Sequence, residues 1–353
     1  MRQLLFIFCS LAVLLSACAP SATPTPAAPE TLTVMTHDSF AASESVIAAF
    51  EQAHHVKIQF LKSGDAGTAL NKAILSKETP LADVFYGIDN TYLSRALQAG
   101  LFTPYLSPVL DQDNIPAAFQ LDPTHSAWPV DYGDVCLNYD KNYFSSRGLT
   151  PPQTLDDLIM PEYKSLLVME NPATSSPGLA FLLATLSHYG PDKYLDFWKQ
   201  LRANDVKIVD GWETAYYTDF SGSSGKGARP LVVSYASSPP AEVIFANPQP
   251  AEAPTASLVS SGSCFRQIEF VGILKGTPHL ALAQQWVDFM LSREFQADMP
   301  LQMFVFPVNP SAALPEAFTR WAQVPAQPAT LSPDDIAAHR DAWIAAWTNV
   351  VLR

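Results

Sequence analysis

Positive charge is scarce in this chain of 353 residues: 21 Lys and Arg stand against 34 Asp and Glu, a formal net charge of -13. No basic stripe interrupts that balance, which argues against a nucleic-acid partner. An acidic surface suits a cationic ligand, although acidity alone is ordinary for soluble proteins. Several catalytic signatures are also missing: no phosphate-cradling loop, no His-Glu-x-x-His, no Cys-x-x-Cys and no Gly-x-Ser-x-Gly elbow. The seven histidines are scattered, and His54-His55 reads as a solvated helix end rather than a metal site. Glycines number 15 against 30 prolines, so many connections should be rigid, and no repeat of fixed period is evident. What the chain does have is apolar mass. At 48% hydrophobic and 11% aromatic it can bury a large core, and its length suggests two domains.

Only four cysteines occur, and two sit at the start. Met1-Arg2 is a positive opening, and Leu4 to Leu15 is an apolar run too short to span a bilayer comfortably. Leu15-Ser16-Ala17-Cys18 has the form of a bacterial lipobox, which makes 1–17 a lipoprotein signal peptide and Cys18 the lipidated first residue of the mature chain. The plainer alternative is a soluble secretory signal. Residues 18–30, rich in Pro, Ala and Thr, cannot form a core and read as a tether. The expected location is therefore extracytoplasmic, in the periplasm or on the outer face of the cell membrane. Cys9 leaves with the signal. Cys136 and Cys264 remain, and export permits a disulfide, but two buried thiols fit the sequence equally well.

The stretch Asn171-Pro172-Ala173-Thr174-Ser175-Ser176-Pro177-Gly178-Leu179 organises the rest. It follows an apolar run, Leu166 to Met169, and precedes another, Leu179 to Leu186. Hydroxyl residues followed by Pro mark a helix start, so backbone N–H groups and hydroxyls converge on one spot. That spot suits a phosphate, a carboxylate or a polar ligand, and it equally suits an ordinary capped helix. Before it, strands at 32–36, 56–61 and 83–87 alternate with helices at 43–54 and 68–76, and Asn90 should cap a helix that stops at Gly100. After it, strands at 206–209 and 231–234 close on Trp212 to Tyr217 and on Tyr235 to Pro239. Further expected elements are strands at 135–139, 266–273 and 301–308, a helix at 278–290, and a final helix opened by Ser332-Pro333. Strand–helix alternation argues for parallel βαβ units, whose polar loops gather at the carboxyl edge where open α/β sheets bind ligands.

These residues resemble the thiamine-binding subunits of bacterial ABC importers, within the two-lobed extracytoplasmic solute-binding proteins. The resemblance runs from about Leu32 to Arg353. It rests on Thr33-Val34-Met35-Thr36-His37-Asp38-Ser39-Phe40, Gly87-Ile88-Asp89-Asn90, Asp131-Tyr132-Gly133, Thr174-Ser175-Ser176-Pro177-Gly178-Leu179, Gly211-Trp212-Glu213 and Ser234-Tyr235-Ala236-Ser237-Ser238-Pro239, in order. It implies an α/β, periplasmic-binding-protein-like fold with mixed and parallel sheets, helices on both faces and the ligand between lobes. The implied lobes are 31–128 plus 270–353, and 129–269. The implied ligand is thiamine or its monophosphate, with no cofactor and no metal. The implied partners are an ABC permease and its ATPase, the protein itself being a monomer. Ligand contacts carry over to Asp65, Ala66, Ser175, Ser176, Trp212, Tyr235, Ala236, Ser237 and Ser238. His37, Asp131 and Tyr132 stand at the first-strand loop and the interlobe crossing. Asp65 faces the cationic thiazolium or the aminopyrimidine, Trp212 offers a π face, and the serines reach the hydroxyethyl tail.

The chain departs from that family in three aromatics: His37 replaces a tyrosine, a tryptophan is lost in a deletion around Ala42–Glu44, and a tyrosine is replaced near Ala241. Two other readings share the architecture. A ferric-ion carrier would use Tyr216 and Tyr217. A thiaminase-like enzyme would use Cys136 as nucleophile and Glu269 as base, although Cys136 lies in an apolar Val-Cys-Leu setting that disfavours a thiolate.

Overall fold

A computed structural model describes residues 29–353. The lipobox and Cys18 lie outside the described residues, as does nearly all of the tether. Among the described residues no helix is long and apolar enough to cross a membrane.

The strands are β1 (Glu30–Thr36), β2 (Val56–Lys62), β3 (Val84–Asp89), β4 (Phe102–Thr103), β5 (Ala127–Asp140), β6 (Leu167–Glu170), β7 (Lys207–Val209), β8 (Leu231–Tyr235), β9 (Thr255–Leu258), β10 (Phe265–Leu274) and β11 (Phe306–Pro307). They form one mixed sheet whose main path runs β2-β1-β3-β10-β5-β8-β6-β7. The βαβ expectation holds in each half: β1 is parallel to β2 and β3, and β6 is parallel to β7 and β8. Helices at Glu44–His54 and Ala66–Leu75 serve the first half, and Ser176–Tyr189 and Tyr194–Ala203 serve the second.

Two long strands join the halves. β10 runs antiparallel to both β3 and β5, so β5 points the same way as β3, and Asp89, Glu269 and Asp131 lie level with one another. β8 runs antiparallel to β5 and ends with Tyr235 opposite Val135. The two parallel sets therefore point at each other. Their carboxyl edges meet along residues 131–135 of β5, and that arrangement creates the site.

Two expectations fail locally. Asn90 does not cap the helix Leu93–Gln98. Its side chain instead pairs with the β10 backbone, Nδ2 donating to Arg266 O at 3.1 Å and Oδ1 accepting from Ile268 N at 2.9 Å. The antiparallel neighbour offers two unpaired groups, a better match for an amide than one helix N–H. Second, 301–308 is not a strand. Helix Arg293–Gln302 runs into it, Phe304 adopts a left-handed φ of 54°, and only Phe306–Pro307 joins β5. Phe304, Val305, Phe306 and Val308 are buried on a wall rather than along a ladder, and Leu301 is exposed. Tyr216 lies in a wide helical turn, Thr214–Asp219.

Packing explains the aromatic content. Trp286 is fully buried and meets Phe50 edge-on at 4.9 Å. The last helix, Pro333–Val351, is capped by Ser332 as its sequence implies. It buries Trp347 edge-on against Trp198 of Tyr194–Ala203, so it rests against the second half of the sheet. Cys136 and Cys264 are joined by a disulfide, Cα atoms 4.4 Å apart, which ties β5 to the start of β10. The thiaminase-like alternative thereby loses its nucleophile, because a disulfide sulfur carries no thiolate to attack with.

Candidate functional site

A cavity of about 300 Å³ opens between the facing carboxyl edges. His37, Asp65, Ala66, Ser176, Trp212 and Tyr235 line it, six of the residues singled out from sequence. They come from loops after β1, β2, β6, β7 and β8, which is where parallel strands present their ligand-binding residues.

Asp65 and Trp212 form the bridge across the cavity. Asp65 is the N-cap of Ala66–Leu75, with Oδ1 accepting from Ala66 N at 2.7 Å. Oδ2 reaches the opposite edge and accepts from Trp212 N at 2.9 Å. Burial pushes the Asp65 carboxyl above its ordinary value, while the bonds from Trp212 and Ala66 pull the other way. The same seam carries Gly67 N to Thr174 O at 3.0 Å and Tyr92 OH to Pro172 O at 2.9 Å. The indole of Trp212 is half-buried and stacks on Tyr216 at 4.9 Å and 16°, while its Nε1 donates to Ser234 Oγ at 2.9 Å. These contacts fix the ring as part of the cavity wall.

Beside Asp65 lies a second group of charges. His37 Nε2 is 3.6 Å from Glu269 Oε1, and Tyr86 OH lies 2.9 Å from Glu269 Oε2 and 2.5 Å from Asp131 Oδ2. Burial drags the His37 imidazole down, yet the Glu269 carboxylate more than offsets it and leaves the pKa raised. Burial also works against an ionised Glu269, but His37 holds its pKa low. Asp131, buried next to that charge, is pushed well up. Tyr86 OH is the donor within reach of both carboxyl groups, and the crowding of two acids drives their pKa values apart, Asp131 up and Glu269 down. Gly87 is required here. Its φ is +98°, and any Cβ would collide with the His37 ring.

The organising stretch folds as read, with helix Ser176–Tyr189 starting after β6 and Pro177 in its first turn. The cap is not ordinary. Ser175 stands at the N-cap position without a side-chain cap bond, and its buried hydroxyl has no hydrogen-bond partner among the described residues. Ser176 Oγ donates to Asp89, so a carboxylate from the first half already sits at this helix start. Burial raises the Asp89 carboxyl to about 6.

The remaining sequence-picked residues stand behind the lining. Ser238 Oγ pairs with Ser234 Oγ at 3.0 Å, Ser237 Oγ is buried without a partner among the described residues, and Ala236 N donates to Asp134 O at 2.8 Å. Tyr132 stacks between Phe119 at 4.8 Å and Phe306 at 5.4 Å, with the Arg266 guanidinium 5.1 Å from its ring. Tyr235 reaches the cavity because Gly133 leaves room; a Cβ there would lie 2.7 Å from its ring. Its hydroxyl accepts from Gln267 Nε2 at 2.8 Å.

Tyr217, named from sequence only for the ferric alternative, also lines the cavity, and other lining residues were not picked: Glu213 beside Trp212, Lys62, Phe245, and the run Gln302 to Val305. Glu213 and Tyr217 follow directly from Trp212, whereas nothing in the 301–308 pattern points to a wall. Asp65, Glu213 and Glu269 give the lining three acids. Against them stand Lys62, whose Nζ donates to Asp38 O at 2.8 Å, and His37, held by Glu269. This balance favours a cation. Tyr216 is fully buried and its phenol is pushed well above the usual range by burial, which opposes the tyrosinate that a ferric ion needs.

Residues 79–326 match the family model described as bacterial extracellular solute-binding protein. The chain is 31% identical over 326 residues to the thiamine-binding periplasmic protein of Escherichia coli K12, covering 91% of this chain and 94% of that one. A solved periplasmic thiamin binding protein superposes with a TM-score of 0.78 at 29% identity, covering 92% and 97% of the two chains. A ferric binding protein from Campylobacter jejuni, at 18% identity and a TM-score of 0.72 over 90% and 99%, shares the fold alone. The fold and the family model agree: this chain belongs to the bacterial extracellular solute-binding proteins, a family of ligand carriers with a cleft between two α/β lobes.

Proposed function

We propose that the protein captures thiamine, or its monophosphate, in the cavity between the facing strand edges and delivers it to an ABC permease and its ATPase. The observation that carries this reading is the Asp65–Trp212 bridge: a half-buried carboxylate and a fixed indole share one acid-lined cavity, a pairing that suits a flat organic cation. Relatives named for thiamine binding, matched over nearly their whole length, support the choice of cation.

In this reading Asp65 and Glu269 neutralise the thiazolium, and Trp212 lies against its ring. Ser175 and Ser176 receive the hydroxyethyl end, and Ala66 and Tyr235 complete the wall, backed by Ala236, Ser237 and Ser238. Asp131 and Tyr132 sit on the strand about which the lobes move. The lobes are 31–128 plus 270–353, and 129–269, with the closing helix Pro333–Val351 riding on the second. Ligand binding favours the closed form, which the permease recognises. A lipid on Cys18 and the tether that follows hold the monomer at the outer face of the membrane.

Native mass spectrometry of freshly purified protein tests the assignment. A co-purified species of thiamine's mass, displaced by added labelled thiamine, is the expected result. Protein that ignores thiamine in calorimetry yet binds a polyamine or an amino sugar refutes it.

A further inference from the structure

The cavity wall is chemically divided. Asp65, Glu213 and Glu269 supply its acids, and Met303, Phe304 and Phe245 are among its apolar lining. Such a mixed lining can take a ligand that joins a cationic ring to an uncharged one. Phe245 is the unusual member. It follows the short helix Ala241–Ile244, and 67% of it is exposed although it lines the cavity. Its ring meets Phe304 edge-on at 5.4 Å and 74°. Phe304, in contrast, is buried and held by its left-handed backbone. One ring is thus fixed, and the other has free solvent on its outer face. Aromatic rings stack or meet edge-on at such distances, so a planar ring entering beside Phe304 finds Phe245 already within reach.

We infer that Phe245 is a specificity-determining residue: its ring closes over the second, uncharged ring of a two-ring cationic ligand, backed by Phe304. The inference rests on the thiamine reading and adds what selects the whole molecule over its cationic fragment. The aminopyrimidine is the uncharged ring, planar and able to lie against a phenyl face. Ala241 stands one helical turn before Phe245, so an aromatic at 245 covers the same side of this short helix as one at 241.

The experiment titrates wild type, Phe245→Ala and Phe245→Tyr with two ligands: thiamine and an N-methylated hydroxyethylthiazolium that lacks the pyrimidine. Phe245→Ala is expected to lose about two- to tenfold in thiamine affinity, the range set by one aromatic contact. The single-ring cation should bind wild type and Phe245→Ala equally, and Phe245→Tyr should retain both affinities. The position is exposed, and matching thermal melts establish that each variant is folded. Loss of both ligands to the same extent, or undiminished thiamine binding by Phe245→Ala, overturns the inference while leaving the functional reading in place. Wild type that ignores thiamine overturns the functional reading, and this inference with it.

Discussion

Trp212→Ala and His37→Ala separate two kinds of wall residue. The Trp212 backbone N–H that Asp65 accepts survives truncation to alanine, so the bridge across the cavity persists and the lost quantity is the ring. A desolvated cation–π contact contributes up to about 2 kcal/mol, and apolar contact over part of an indole another 1–2 or so. Together these amount to about 2–4 kcal/mol, or a thirty- to several-hundredfold loss of thiamine affinity. His37 behaves differently because it competes with the ligand. It sits 3.6 Å from Glu269, and a bound thiazolium takes over that carboxylate. Near pH 8, His37→Ala should therefore change affinity by no more than about threefold. The sign of the pH dependence follows. The imidazole pKa is raised above 6.5, and a protonated His37 repels a cation, so wild-type affinity rises between pH 6 and 8. In His37→Ala that rise should be smaller, the remainder coming from Asp89, whose carboxyl titrates in the same window. Titration calorimetry at pH 6, 7 and 8 reads all three quantities. Equal losses in the two variants, or wild-type affinity that is flat or falls with rising pH, refute the reasoning.

Glu269→Gln removes the carboxylate that the ligand and His37 share, and should cost about tenfold in thiamine affinity while lowering the His37 pKa, read by NMR titration. Asp89 gives a stability signature. Its carboxyl is held at about 6 when folded against an ordinary 3.8, so the folded chain binds the extra proton. Stability is then full below about pH 4 and declines by about 3 kcal/mol as pH rises through 6. Urea melts of Asp89→Asn should lack that decline, and identical pH profiles would contradict it. Reducing Cys136–Cys264 opens a loop with a sequence separation of 128, which a chain-entropy estimate values at about 5 kcal/mol; a melting temperature unmoved by reductant would exclude any such contribution. Cys18→Ser should release the protein from the membrane fraction, and retention there would argue against the lipobox.

Much of this architecture is local in sequence, and that part was legible. Apolar strands followed by capped helices, with polar loops at 37–40, 64–67 and 211–217, place one rim of residues in each half without any long-range information. The capping pattern at Ser332 and the helix start at Pro177 are likewise read from neighbours a few positions apart. Long-range pairing was not legible. β10 meets β3 and β5 across more than a hundred residues, so neither Asn90's grip on β10 nor the level alignment of Asp89, Asp131 and Glu269 has a local signature. Met303 and Phe304 hid for another reason. An apolar run looks the same whether it extends a ladder or lines a hollow, and the left-handed turn at Phe304 decides between them.

The bond between Cys136 and Cys264 rivets the two spanning strands at one end of their shared ribbon, with Val135 facing Phe265 beside it and Asp131 facing Glu269 further along. Twisting is thereby confined to the stretch beyond the rivet, next to Tyr86 and His37. Material made in a reducing cytosol lacks that rivet, and its ribbon is held by the ladder between β5 and β10 alone. The compartment in which the chain matures thus helps to set how stiffly the jaws are mounted.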